Sequence, residues 1–158
     1  MAIAASPGAS GARKPTVAFM GAAWVALAVA LGTYVVALWR MPLTYDQRWF
    51  YGTVILFGLF GVVAVVKSIR DRDDSIPVTP AFYGLSWIAA LGPITAMSIY
   101  LLNAPQDDLA RGFLFLTFMF AIFAAVVVQK IVRDLADWQA AQPATRKPAP
   151  VTAPGPHS

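Results

Sequence analysis

Four long stretches without a single charged side chain limit this chain to one class of fold. They cover residues 17–39, 49–66, 81–102 and 112–128. A helix of about 20 apolar residues crosses a hydrocarbon core of about 30 Å. Only helices and closed barrels can cross lipid, and continuous apolar runs lack the alternation of a barrel strand. The sequence therefore predicts an all-α membrane protein with four transmembrane helices.

Composition supports this class over a soluble one. Hydrophobic residues make up 58% of the chain and charged residues 13%, whereas a soluble domain carries about 25% charged residues. A cleaved signal peptide before a soluble core does not fit, because three further apolar runs follow the first. The net charge is +4, but the basic residues flank the apolar runs. We therefore expect a topology signal and no nucleic-acid partner.

The distribution of Lys and Arg predicts an orientation. Nine of the 12 cations lie on the side of both termini and the middle connection, against Arg40, Arg48 and Arg111 on the other side. Cytoplasmic loops carry the excess of cations, so we expect both termini in the cytoplasm. Trp39 and residues 49–51 predict an aromatic belt on the outer face.

The sequence repeats itself at a shift of 63 residues, the separation of Lys67 from Lys130. The same register pairs Trp24 with Trp87 and Arg48 with Arg111. Each unit crosses the membrane twice, so both units begin on the same side. The sequence predicts two tandem helical hairpins in a parallel repeat, related by a pseudo-two-fold axis along the membrane normal.

The repeat also divides the chain into segments. We expect a disordered arm, a first repeat, a cytoplasmic linker, a second repeat and a mostly disordered tail. These cover residues 1–15, 16–71, 72–78, 79–134 and 135–158, respectively.

Each repeat ends on a K-x-x-R-D motif. The two motifs are Lys67, Arg70 and Asp71, and Lys130, Arg133 and Asp134. The spacing places the three side chains near one helix face, so each aspartate can pair with its lysine. The favoured interpretation is an interfacial anchor formed by snorkelling cations. The alternative is a pair of symmetric sites for anionic lipid headgroups or an acidic partner.

Small residues predict close helix packing. Ala18, Ala22, Ala26 and Ala30 form a stripe, and Gly58 and Gly61 match Ala121 and Ala124 in the second repeat. Such positions let helices approach closely in lipid, either within one chain or in a homodimer. Pro93 has no counterpart in the first repeat and predicts a kink in the third helix.

The sequence offers little chemistry for catalysis. It has no cysteine, and its one histidine is His157 near the C-terminus. No ionisable acid, lysine, arginine or histidine lies within the four runs, and their polar residues form no nucleophile–base pair. We therefore expect no enzyme, no cofactor and no metal site. A proton-coupled transporter usually has an intramembrane carboxylate, which these runs lack.

The second helices read RWFYGTVILFGLFGVVAVVKSIRD and RGFLFLTFMFAIFAAVVVQKIVRD, and the second repeat opens on FYGLSW. With the duplicated hairpin, these segments resemble the YiaA/YiaB two-helix-domain family of bacterial inner-membrane proteins. The resemblance covers about residues 16–134. It implies one domain for each hairpin and a place in the bacterial plasma (inner) membrane, and it supplies no catalytic residue.

The leading expectation for function is a structural or accessory membrane protein. It would lie in the lipid bilayer and associate with itself or with a larger membrane complex. The alternatives are an anionic-lipid-binding or stress-responsive membrane factor that uses the two K-x-x-R-D motifs, and a small transporter with a neutral path.

Overall fold

The computed structural model describes residues 15–141, which form four helices. They are α1 (Val17–Arg40), α2 (Tyr45–Asp73), α3 (Pro80–Leu102) and α4 (Asp108–Ala141). All four are long and apolar enough to cross a membrane, so the predicted all-α class is confirmed. The disorder expected for residues 1–14 and 142–158 lies outside the described residues.

Threonine side chains define where three of the helices begin. Thr16 Oγ1 accepts from the backbone N–H of Phe19 at 3.3 Å, and Thr79 Oγ1 accepts from Phe82 at 3.4 Å. These two caps are equivalent positions of the repeat. Thr44 forms a capping box at the start of α2. Each cap satisfies an N–H group that has no partner inside the helix.

The second helix of each repeat is longer than its apolar run, and the two end differently. The chain leaves α2 after Asp73, where Ser75 has a φ of 59° and Ile76 N–H donates to the carbonyl oxygen of Asp71 at 2.7 Å. The helix α4 continues beyond Asp134 to Ala141. The first K-x-x-R-D motif therefore lies in the last turns of its helix, whereas the second lies inside a continuing helix.

The two hairpins are interlocked. The backbones of α2 and α3 approach closely along their lengths, as do those of α1 and α4, and α2 also packs against α4. The two helices of one hairpin hardly approach each other. The first helix of each repeat thus packs on the second helix of the other repeat, about an axis between α2 and α4.

Large side chains fill the core, and the outside of the bundle is apolar. Tyr34, Tyr51 and Phe118 are fully buried together with Met97 and Leu114. Among the large hydrophobic side chains exposed on the outside are those of Leu56, Phe60 and Phe123. A bundle with an apolar exterior is suited to a lipid environment, where burial of apolar surface does not by itself drive helix association.

Small residues occupy the central crossing of α2 and α4. A Cβ atom at Gly58 would lie 2.8 Å from Cδ1 of Ile122, and the repeat-equivalent Ala121 is fully buried. The stripe predicted on α1 faces inward only in part, since Ala30 is buried but Ala18 is exposed. The stripe changes face because a spacing of four residues drifts around a helix with about 3.6 residues per turn.

The predicted aromatic belt is wrong for Tyr51. The side chains of Trp39 and Trp49 are exposed, whereas Tyr51 is completely buried. The ring of Phe50 stacks on that of Tyr100, with centroids 4.1 Å apart. Consecutive residues of a helix point about 100° apart, so a run of three aromatic residues cannot all face lipid.

A charged cleft between the second and fourth helices

The two K-x-x-R-D motifs meet at one end of the bundle. We call it the basic end: α1 and α3 begin there, and α2 and α4 run towards it. A cleft of about 630 Å³ opens between α2 and α4 at this end. Its walls include Lys67 and Arg70 from α2 and Lys130 and Arg133 from α4. The sequence indicated a pair of symmetric sites, and the structure brings their four cations to a single cleft because α2 packs against α4.

Each aspartate of the motifs pairs with its own lysine. Lys67 Nζ lies 3.2 Å from Asp71 Oδ2, and Lys130 Nζ lies 2.5 Å from Asp134 Oδ2. Both predicted pairs are confirmed. The environments differ, since the side chain of Asp71 is 13% exposed and that of Asp134 is 31% exposed. An arginine joins each pair, with Arg70 Nη2 at 3.5 Å from Asp71 Oδ1.

The cleft changes character with depth. Valines line its membrane side, including Val63, Val66 and Val126. The four cations follow. A second cavity of about 550 Å³ adjoins them, lined by Arg70, Asp73, Asp74, Arg133 and Asp137. The order from the membrane outward is therefore apolar wall, cations and acidic rim.

Two hydrogen-bond donors in the cleft lining have no partner among the described residues. They are Nε of Arg133 and Nε2 of Gln129, both buried atoms. Gln129 occupies the position that Val66 holds in the first repeat. Buried donors are normally satisfied, and the described residues include other buried polar atoms without a partner, such as the hydroxyl group of Tyr51 and Nε of Arg111. The sequence signal for Gln129 was a single polar residue after three valines. The repeat pattern obscured it, because the equivalent residue is a valine.

A second pair of symmetric grooves lies at the opposite end and was not predicted. One is lined by residues that include Arg111 and measures about 340 Å³, and the other includes Arg48 and measures about 330 Å³. Arg111 Nη2 pairs with Asp108 Oδ1 at 2.9 Å. These grooves open because the two helices of each hairpin do not pack closely. The repeat match between the two arginines was the available signal.

The buried serine and threonine hydroxyl groups of the described residues are bonded within their own helices. Ser68 donates to the carbonyl oxygen of Val65 at 3.0 Å, and Ser86 donates to that of Phe82 at 2.8 Å. Thr117 donates to the carbonyl oxygen of a residue four positions earlier in α4. These hydroxyl groups are therefore engaged with their own backbone.

Four membrane-spanning helices, arranged as two tandem hairpins interlocked about a charged cleft, define a multi-pass membrane protein. The yiaA/B two helix domain matches the chain twice, over residues 19–71 and 82–134. The chain belongs to this family. It is also similar to inner membrane protein YiaA of Escherichia coli (strain K12), with 31% identity over 117 residues. The match covers 74% of this chain and 81% of that protein.

The two domain matches coincide with the two hairpins, which confirms the tandem repeat and the family resemblance. Together with the four spanning helices, the relative supports a multi-pass protein of the inner membrane. No solved structure matches the chain.

Proposed function

We propose that the protein is a structural or accessory component of the inner membrane, which associates with itself or with a larger membrane complex. The observation that carries this proposal is how the polar side chains of the bundle are bonded and where the charged ones lie. Buried hydroxyl groups such as those of Ser68, Ser86 and Thr117 are bonded to their own backbone. The described charged side chains lie towards the helix ends, where they can meet a partner. We propose no catalytic role.

The outward face of α1 supports association with another helix. Gly21, Ala28 and Gly32 are exposed on it. A Cβ atom at Gly21 or Gly32 would meet no atom within 4 Å. Ala28 and Gly32 are four residues apart, the spacing at which small residues let two membrane helices pack closely. This surface is distinct from the inward face of α1, which packs against α4.

The proposed orientation places the basic end in the cytoplasm. Both K-x-x-R-D motifs lie at that end, and the Lys and Arg excess follows the positive-inside rule. A partner that docks at the basic end would therefore approach from the cytoplasm, and a partner helix would approach α1 within the membrane.

The test is purification from native membranes in mild detergent, read by native mass spectrometry. We expect a homo-oligomer or a stoichiometric larger complex. Gly32→Leu should release the associated chain because it fills the small-residue surface. Val29→Leu, which exchanges one large side chain for another at a neighbouring exposed position of α1, is the matched control and should leave the assembly intact. A monomer from wild-type membranes, with no associated protein, would contradict the proposal.

A further inference from the structure

Each wall of the cleft carries an arginine followed four residues later by an aspartate. The pairs are Arg70 with Asp74, the residue that caps the end of α2, and Arg133 with Asp137 on α4. Side chains four residues apart share a helix face. Since both helices run towards the basic end, residue number sets depth in the membrane. Each arginine is followed by an acidic residue about 6 Å farther out, at about 1.5 Å of rise per residue.

A phospholipid with an ethanolamine headgroup presents the complementary order. Its acyl chains lie deepest, its phosphate follows, and its primary ammonium is carried outward on a short ethylene linker. The valines Val63, Val66 and Val126 suit the acyl chains. The arginines suit the phosphate, because a guanidinium group can donate two hydrogen bonds to phosphate oxygens. The acidic rim suits the ammonium group.

Arg133 also offers donors at the depth proposed for the phosphate. Its Nε atom is buried, as is Nε2 of Gln129, so these two atoms are closed off from the cleft. The side chain of Arg133 as a whole is 39% exposed and lines the cleft. The exposed edge of its guanidinium group can therefore donate to a phosphate. The cleft volume of about 630 Å³ also falls within the range of about 300–1,000 Å³ typical of small-molecule sites.

The charge balance distinguishes a zwitterionic headgroup from a purely anionic one. The four cations of the motifs are already shared with Asp71 and Asp134. The adjoining rim adds Asp73, Asp74 and Asp137. This surface is therefore not a simple cationic patch, and the rim would repel an anionic headgroup that reached it. An ammonium group at the rim turns this repulsion into attraction.

We propose that the cleft between α2 and α4 binds one phosphatidylethanolamine-type lipid, with its phosphate at Arg70 and Arg133 and its ammonium group at Asp74 and Asp137. The site gives the two K-x-x-R-D motifs a common ligand on the pseudo-two-fold axis. It requires no protein partner, and it stands whether or not the chain assembles into a larger complex.

The test uses the full-length purified protein in detergent, mixed with equal amounts of three lipids that carry identical acyl chains. These are phosphatidylethanolamine, phosphatidylglycerol and phosphatidylcholine, and native mass spectrometry counts the first bound lipid. We expect phosphatidylethanolamine to exceed each of the others by at least about threefold, since only it combines a phosphate with a hydrogen-bonding ammonium group. Equal binding of the three, or a preference for phosphatidylglycerol, would overturn the proposal.

Two double variants locate the site. Arg70→Gln with Arg133→Gln should lower phosphatidylethanolamine binding about tenfold, through the loss of charge-assisted hydrogen bonds. Asp74→Asn with Asp137→Asn should remove the preference over phosphatidylglycerol while retaining lipid binding. The matched control is Arg40→Gln with Arg48→Gln, which removes two cations at the opposite end and should bind as the wild type does. If both cleft variants keep the wild-type preference, the lipid does not occupy this cleft.

Discussion

Gly61 of α2 lies directly against the backbone carbonyl of Ala89 in α3. A Cβ atom at Gly61 would overlap that carbonyl group. The equivalent position in the second repeat is Ala124, whose methyl group is accommodated and buried. An alanine therefore fits at this position of α4 but not at the equivalent position of α2. The close crossing of α2 and α3 requires a glycine there.

Gly61→Ala should destabilise the bundle because α2 and α3 must move apart to admit the methyl group. We expect a loss of about 1–3 kcal/mol, the usual cost of overpacking. The measurement is unfolding in mixed micelles by titration with a denaturing detergent. Gly52→Ala is the control within the same helix, since a Cβ atom there meets nothing within 4 Å. Equal stability of the two variants would contradict the tight crossing.

Tyr34→Phe should weaken the contact between the two helices of the first hairpin. The hydroxyl group of Tyr34 donates to the backbone carbonyl oxygen of Tyr51 at 3.1 Å, and both residues are fully buried. We expect a loss of about 0.5–1.5 kcal/mol, as for a typical hydrogen bond. The same unfolding titration measures it. Tyr45→Phe removes a hydroxyl group from an exposed side chain and should leave stability unchanged.

Cysteine cross-linking should detect the interlocked packing, and the wild-type chain has no cysteine of its own. Ala23 of α1 packs in one cluster with Val128 of α4, so Ala23→Cys with Val128→Cys should form a disulfide on oxidation. A protease site inserted at residues 74–79 then cuts the chain between the repeats. We expect the two halves to stay joined on a non-reducing gel.

The control for that experiment pairs Ala23→Cys with Val65→Cys, within one repeat. The backbones of α1 and α2 hardly approach each other, so this pair should not cross-link, and the cut halves should separate. Cross-linking of the control in place of the first pair would show that each hairpin packs on itself.

Asp71→Asn should cost more stability than Asp134→Asn, although the two positions are equivalent in the repeat. Each aspartate pairs with a lysine and an arginine, but the side chain of Asp71 is 13% exposed and that of Asp134 is 31% exposed. We expect a loss of roughly 1–2 kcal/mol for Asp71→Asn, because its partner cations are left in a partly buried site. Asp134→Asn should lose less than about 1 kcal/mol, as exposed ion pairs do. The reverse order in unfolding titrations would contradict this assignment.

A fusion experiment tests the proposed orientation. Green fluorescent protein fused after Ser158 should fluoresce, and alkaline phosphatase at the same place should be inactive, because the positive-inside rule predicts a cytoplasmic C-terminus. Alkaline phosphatase inserted in residues 103–107 should be active. The opposite pattern of activity would show that the bundle has the reverse orientation, with the charged cleft on the outer side of the membrane.

The residues of the candidate site could be read from the sequence, but their arrangement could not. The matched positions of Lys67 and Lys130 mark them as equivalent under any fold that keeps the repeat. Their meeting at one cleft depends on α2 packing against α4. Gln129 illustrates the same limit, since it becomes part of the cleft wall only because α4 packs against α2.

The sequence by itself determined the number of helices, the tandem repeat and the family, because apolar length, charge placement and self-similarity are properties of the chain alone. It also predicted the pairs Lys67–Asp71 and Lys130–Asp134, since both pairs lie within one helical turn. The tertiary structure decided which helices pack together, the inward position of Tyr51 and the single cleft. These features depend on contacts between residues far apart in the chain, and in lipid such contacts follow from the close fit of helix surfaces, which hydrophobicity does not encode.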